Sequence, residues 1–168
     1  MKKTVLVLIL GIVLLAVFGM EAKAQIPKEG TTSFTSAYSG TFKILAMGQE
    51  RVQMTYEFMG ANIGDTPNDL YQNTSFRCLG ASHAVKGEDI DASTFCVSTR
   101  PDGDQIFSIY KTTHKMGAGY KGTFTFVGGT GKLVGIQGGG EITGISVRPA
   151  AEGTFQEHAR QKGQYKLP

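Results

Sequence analysis

The chain has 168 residues, with 17 Lys and Arg against 14 Asp and Glu, 40% hydrophobic and 18% charged residues, 23 glycines, two cysteines and no tryptophan. That length suits one globular domain and leaves little room for a second. Without Lys2, Lys3, Lys23 and Glu21 of the first 24 residues, the balance falls to 14 basic against 13 acidic; this excludes the clustered cationic footprint of a nucleic-acid binder and gives no attraction to an anionic membrane surface.

The first segment reads as an export signal. Lys2 and Lys3 form a positive start, Thr4 to Gly19 is apolar and uncharged, and Ala22-Lys23-Ala24 places small residues where a signal peptidase cuts. Residues 1–24 are therefore expected to be removed, with 25–168 as the mature domain in the periplasm or secreted. An uncleaved anchor is the alternative, but the run falls short of the roughly 20 apolar residues that span a bilayer. No cysteine follows it to take a lipid. After cleavage no membrane span is expected.

Beyond Gln25 no long stretch has helical apolar spacing, whereas alternating segments rich in Thr, Phe, Tyr, Val and Ile recur. The predicted strands are Thr32–Tyr38, Thr41–Met47, Arg51–Phe58, Thr74–Val85, Ser93–Thr99, Gln105–Thr112, Gly119–Val127, Leu133–Ile136, Glu141–Val147 and Gly153–Leu167, some merging across glycines. Asn62–Asn73, Lys86–Asp89, Pro101–Asp104, Gly128–Gly131 and Arg148–Ala151 read as the connections. Short sequential links favour antiparallel neighbours. The expected fold is all-β, a single antiparallel up-and-down β-barrel of about eight strands, whose interior accepts side chains or one small ligand; a two-sheet sandwich is the alternative.

Cys78 and Cys96 lie symmetrically about Gly87, so a hairpin turning at Lys86–Asp89 sets them opposite each other. A disulfide is expected in an exported chain, closing a loop worth about 3 kcal/mol in the chain-entropy model. Two buried thiols are the alternative, and Cys78, His83 and Cys96 match no metal-ligand spacing. This register pairs Arg77 with Val97 and Leu79 with Phe95. Continued about Asp102-Gly103, it pairs Phe95 with Tyr110, Val97 with Ser108 and Thr99 with Ile106. The more apolar face is then the one without the cysteines, and alternation sends Arg77, His83 and Tyr110 inward with Leu79 and Phe95. The same parity groups Tyr56 with Phe58, Glu141 with Ile145, and Glu157 with Phe155. Arg77 paired with Glu141 or Glu157 is either a structural salt bridge or the polar end of a ligand pocket walled by Phe58, Phe95, Phe124 and Phe126.

Several motifs that look chemical fail on context. Gly117–Gly122 satisfies G-x-G-x-x-G, but a strand, Thr123–Val127, follows where a dinucleotide site needs a helix. Gly128–Lys132 lacks the spacing and the hydroxyl of a P-loop, and its glycines read as turn positions. Gly80–Ala84 misses G-x-S-x-G by one residue. Asp102 and Asp104 supply too few oxygens for calcium, and His83, His114 and His158 show no ligand spacing, so no metal is expected.

The stretch FVGGTGKLVGIQGGGEI, Phe126 to Ile142, resembles the GG[TS]Gx[FL]xGxxG segment of allene oxide cyclase-like and dirigent-like β-barrels. The whole layout, with TRPDGDQIF at Thr99–Phe107 and the closing EGTFQEHARQKGQYKLP, is similar to exported bacterial proteins near that superfamily. The resemblance implies an eight-stranded, allene oxide cyclase-like or calycin-like barrel with a central cavity, no cofactor, and steering of a reactive small molecule by cavity shape. The leading expectation is binding of a small, partly hydrophobic ligand, with Tyr56, Arg77, His83, Tyr110, Glu141 and Glu157 as polar anchors. The alternatives are a cofactor-independent isomerase or cyclase using an inward carboxylate, and a packed interaction module without a cavity.

Overall fold

The computed structural model describes residues 26–115 and 119–168; the expected signal over 1–24, and Gly117 and Ala118 of the first glycine motif, lie outside them. Eight strands follow in chain order: β1 (Glu29–Ala46), β2 (Arg51–Gly64), β3 (Thr74–Val85), β4 (Glu88–Thr99), β5 (Gln105–Lys115), β6 (Gly119–Gly129), β7 (Gln137–Val147) and β8 (Thr154–Lys166). Each pairs antiparallel with the next, and β8 returns to β1. Closure leaves no sheet edge unpaired and removes the sandwich alternative.

β1 joins two predicted strands across Gly40. A Cβ there would collide with the β2 backbone and with Phe58, so the absent side chain lets the long strand bend around the barrel. β2 runs on past Phe58 through Asn62, predicted to open a loop. Asn62 points inward, where Ser36 and Thr74 satisfy its amide. Leu133–Ile136 is not a strand. Gly131–Leu133 forms a 3-10 turn, with Gly131 and Gly135 at φ +53° and +77°, a left-handed backbone that breaks strand alternation.

That turn helps to close one end of the barrel. Leu133 and Ile136 pack with Phe34, Phe124, Phe126 and Tyr165, together with Leu70 and Tyr71 from the β2–β3 loop. The loop is held by Asp69, whose carboxylate accepts hydrogen bonds from the Thr32 hydroxyl (2.7 Å) and from the backbone N–H groups of Ser33 and Tyr71 (both 2.8 Å). Phe124 and Phe126, expected to wall a ligand pocket, are part of this plug.

Cys78 and Cys96 form the expected disulfide, opposite each other with Arg77–Val97 and Leu79–Phe95 on either side. The hairpin turns on Lys86 and Gly87, both at positive φ, which matches the twist of paired strands. A bulge at Ile90 absorbs the extra residue and keeps the cysteines in register. The next hairpin differs from expectation. Its loop is the five residues Arg100–Asp104, with hydrogen bonds from Arg100 N–H to Asp104 C=O and from Gly103 N–H to Arg100 C=O. Phe95 therefore faces Ile109 and Val97 faces Phe107, one residue from the predicted pairing, and Tyr110 joins the cysteine face.

The larger correction concerns which face is inside. The cysteines point inward, Cys78 at 1% exposure, while Leu79 and Phe95 are 55% and 58% exposed on the outer surface. The inner faces of β3 and β4 carry small or short polar groups such as Ser82, Ala84, Ala92, Thr94 and Ser98. Inside is set by what the neighbouring strands present across the barrel: Phe76, Cys78 and Cys96 pack against Tyr38, Phe58 and Tyr110, and the short side chains beside them leave room for a cavity. Arg77, His83, Phe95 and Glu141 consequently face outward. Arg77 pairs with Glu57, its neighbour on the outer face of β2, at 2.6 Å, and neither partner named in advance, Glu141 or Glu157, reaches it.

Candidate functional site

Above the plug the barrel is hollow. A cavity of about 540 Å³ occupies the half nearest the β1–β2, β3–β4 and β7–β8 turns, reached by Ile44, Gly87 and Pro149. The barrel is therefore not the fully packed module considered from the sequence. Tyr56, Phe58, Tyr110 and Glu157, four of the ten expected site residues, line it.

The floor is a hydrogen-bonded band of side chains. Tyr110 Oη donates to Gln161 Oε1 (2.9 Å), Gln161 Nε2 donates to Ser36 Oγ (2.6 Å), Ser36 Oγ donates to Asn62 Oδ1 (2.5 Å), and Asn62 Nδ2 donates to Thr74 Oγ1 (2.8 Å). Thr74 Oγ1 in turn donates to the Tyr71 carbonyl in the plug loop. Every member of this band is partnered, so it acts as a stiff partition between cavity and plug. Burial pushes the Tyr110 phenol well above its ordinary pKa, keeping it a neutral donor.

One wall carries a second polar group that the sequence reading did not assemble. Glu157 on β8 accepts from Ser146 Oγ on β7 (Oε1, 2.9 Å) and from Tyr38 Oη on β1 (Oε2, 2.8 Å). Tyr38 Oη also contacts Tyr120 Oη on β6. The single Tyr38 proton lies toward the carboxylate, so Tyr120 donates to Tyr38, and the chain Tyr120–Tyr38–Glu157 has one direction. Desolvation, then the neighbouring Tyr120 and Glu157, raise the Tyr38 pKa, and desolvation raises that of Tyr120. Both phenols stay protonated in any physiological range and offer the carboxylate a relay of neutral donors.

Glycines opposite the rings set these positions. Tyr120 pairs with Gly144 and Tyr56 with Gly80 across adjacent strands, and a Cβ at either glycine would fall inside the facing ring. Each tyrosine lies flat over bare backbone, with its hydroxyl carried to Tyr38 or, for Tyr56, to Thr94 Oγ1 at 2.9 Å. The remaining wall is apolar. Phe58 stacks on Tyr38 (centroids 4.7 Å) and meets Phe76 and Phe155 edge-on, with Cys78 and Cys96 packed beneath.

Tyr38, Tyr120 and Ser146 were missed because the carboxylate and its hydroxyl relay come from four strands, and Gln161 because its partners Tyr110 and Ser36 lie on β5 and β1; β1 meets β8 only on closure. Parity held the usable signal. Tyr120 alternates with Phe124 and Phe126, and Tyr38 with Phe34, within single strands. Among the described residues no group of three or more His, Cys, Asp or Glu side chains is placed to hold a metal ion, and no helix is long and apolar enough to cross a membrane.

Comparison with known proteins supports the fold. No family model matches the chain, and no curated protein sequence does. Among solved structures, the pterocarpan synthase dirigent protein GePTS1 superposes with a TM-score of 0.52 at 10% identity, over 86% of this chain and 90% of that one. The chain thus has a dirigent-like, eight-stranded barrel fold.

Proposed function

We propose that this protein binds a small, partly apolar molecule inside its barrel. The observation that carries the reading is the half-hollow interior, with an aromatic wall facing a cluster of oriented hydroxyls and one carboxylate. Its volume falls in the range of small-molecule pockets, about 300–1,000 Å³, and the plug and hydrogen-bonded floor give it a defined end. Its dirigent-like fold, and the resemblance of Phe126–Ile142 to a segment of allene oxide cyclase-like and dirigent-like barrels, support the same reading. The expected export, with cleavage after Ala24 and delivery to the periplasm or outside, belongs to this proposal and is supported by the disulfide. An N-terminus other than Gln25 on the mature protein would overturn that cleavage site.

Saturable enhancement of N-phenyl-1-naphthylamine fluorescence tests the binding reading. The dye is neutral, and the protein contributes no tryptophan emission. Binding is expected near one dye per chain and weakened about tenfold by Ala92→Phe, which directs a ring into the cavity from β4. Unsaturable or unaltered dye response in a folded variant rejects it. The second reading, a cofactor-independent isomerase or cyclase, draws on the Tyr120–Tyr38–Glu157 relay. Under it, Glu157→Gln abolishes turnover while dye binding persists.

A further inference from the structure

One acidic side chain lines the cavity. Among the described residues that line it, Glu157 is the only carboxylate, His114 the only imidazole, and there is no lysine or arginine. Two arginines of the barrel strands are paired on its outer surface. Arg77 is held by Glu57, and Arg160 on β8 by Asp65. Glu157 receives one donor on each oxygen, both uncharged hydroxyls, which leaves about half of its lone-pair capacity for a further donor. Around it lie the ring of Tyr38, the ring of Phe58 stacked upon it, and Phe155, two residues earlier on the same face and 5.9 Å from Phe58.

Each class of ligand meets this arrangement differently. An anion would lose its hydration beside Glu157 with no lysine or arginine in the described lining to replace it. A neutral apolar body would strip water from the carboxylate without compensating the charge. A protonated amine supplies both N–H donors and opposite charge, and aromatic faces attract it further.

We propose that the cavity selects an organic cation, a protonated amine on an apolar body, with its nitrogen against Glu157 among the rings of Tyr38, Phe58 and Phe155. This rests on the small-molecule-binding reading and names its ligand class. The floor groups Tyr110 and Gln161 are already bonded to each other, so the far end of the ligand is apolar or carries at most a weak acceptor.

Three probes sharing one skeleton separate the outcomes: 4-phenylbutylamine, 4-phenylbutanol and 4-phenylbutyrate, titrated at pH 7 by displacement of N-phenyl-1-naphthylamine and by calorimetry. The amine is expected to bind about tenfold tighter than the alcohol, and the carboxylate more weakly than either. Glu157→Gln, which keeps an acceptor for Tyr38, is expected to erase the amine preference while leaving alcohol affinity within about twofold. Arg77→Ala, on the outer surface and absent from the lining, should retain the preference. Equal binding of amine and alcohol to the unaltered protein, or a preference that survives in folded Glu157→Gln, overturns the cation assignment alone. If neither the dye nor any of the three probes binds, the binding reading itself fails. The order measured on the unaltered protein decides the matter even if the Gln variant does not fold.

Discussion

Replacing Gly144 by alanine isolates the device that positions the Tyr120 hydroxyl. Gly144 lies opposite Tyr120, and the added methyl would occupy the space of the ring's Cε1, Cζ and Oη. Gly144 has no positive φ, so alanine suits the backbone and would otherwise be neutral or slightly stabilising. The ring must therefore leave its seat. Overpacking of this kind costs about 1–3 kcal/mol, and loss of the Tyr120–Tyr38 hydrogen bond adds about 1 kcal/mol. We expect destabilisation of about 2–4 kcal/mol, or roughly 5–12 °C in Tm at this chain length. Urea unfolding followed by far-ultraviolet circular dichroism measures it. The decisive comparison is a double-mutant cycle with Tyr120→Ala. With the ring removed, Gly144→Ala should cost within about 0.5 kcal/mol of nothing. A cost that persists without the ring, or no cost in its presence, refutes the reasoning.

Three further outcomes follow from the same geometry. Ultraviolet titration should leave Tyr38, Tyr71, Tyr110 and Tyr120 un-ionised at pH 10, since burial raises all four above their ordinary pKa. Their folded pKa values exceed the unfolded ones, so their contribution to stability is full below pH 10 and is lost as pH rises through the folded values; phenolate appearing at pH 10 without unfolding contradicts this. Thiol titration under non-reducing conditions should find no free cysteine, and Cys78→Ser with Cys96→Ser should lower stability by about 3 kcal/mol for a bridge of sequence separation 18. Arg77→Ala should change stability by less than about 0.5 kcal/mol and leave dye binding intact, because its ion pair with Glu57 lies on the outer surface with the arginine side chain 66% exposed.

Much of the architecture was legible in local pattern. Period-two alternation and turn residues identified the strands, and the spacing of Cys78 and Cys96 about Gly87 identified a hairpin whose central pairs match the structure. These features act over a few residues, so the chain declares them wherever it is read. The merging of strands at Gly40 and the continuation of β2 through Asn62 were less legible, because both rest on partners in other strands.

The inside and outside of β3 and β4 could not be decided that way. Apolarity ranked Leu79, Phe95 and Val97 above Phe76, Cys78 and Ser82, yet the latter three face inward, since packing across the closed barrel rather than the apolarity of one hairpin decides which face is inside. The five-residue loop at Arg100–Asp104 then reversed Tyr110 by a shift of one position. The amino-acid sequence alone thus determined an antiparallel barrel with one covalent bridge, because strand period, turn chemistry and cysteine spacing are local properties. The site was decided only by closure. Ser146 and Glu157 face each other within the β7–β8 hairpin, but Tyr38 and Tyr120 stand far from them along the chain, and the pairing of β8 with β1 and of β6 with β7 brings their hydroxyls to the same carboxylate.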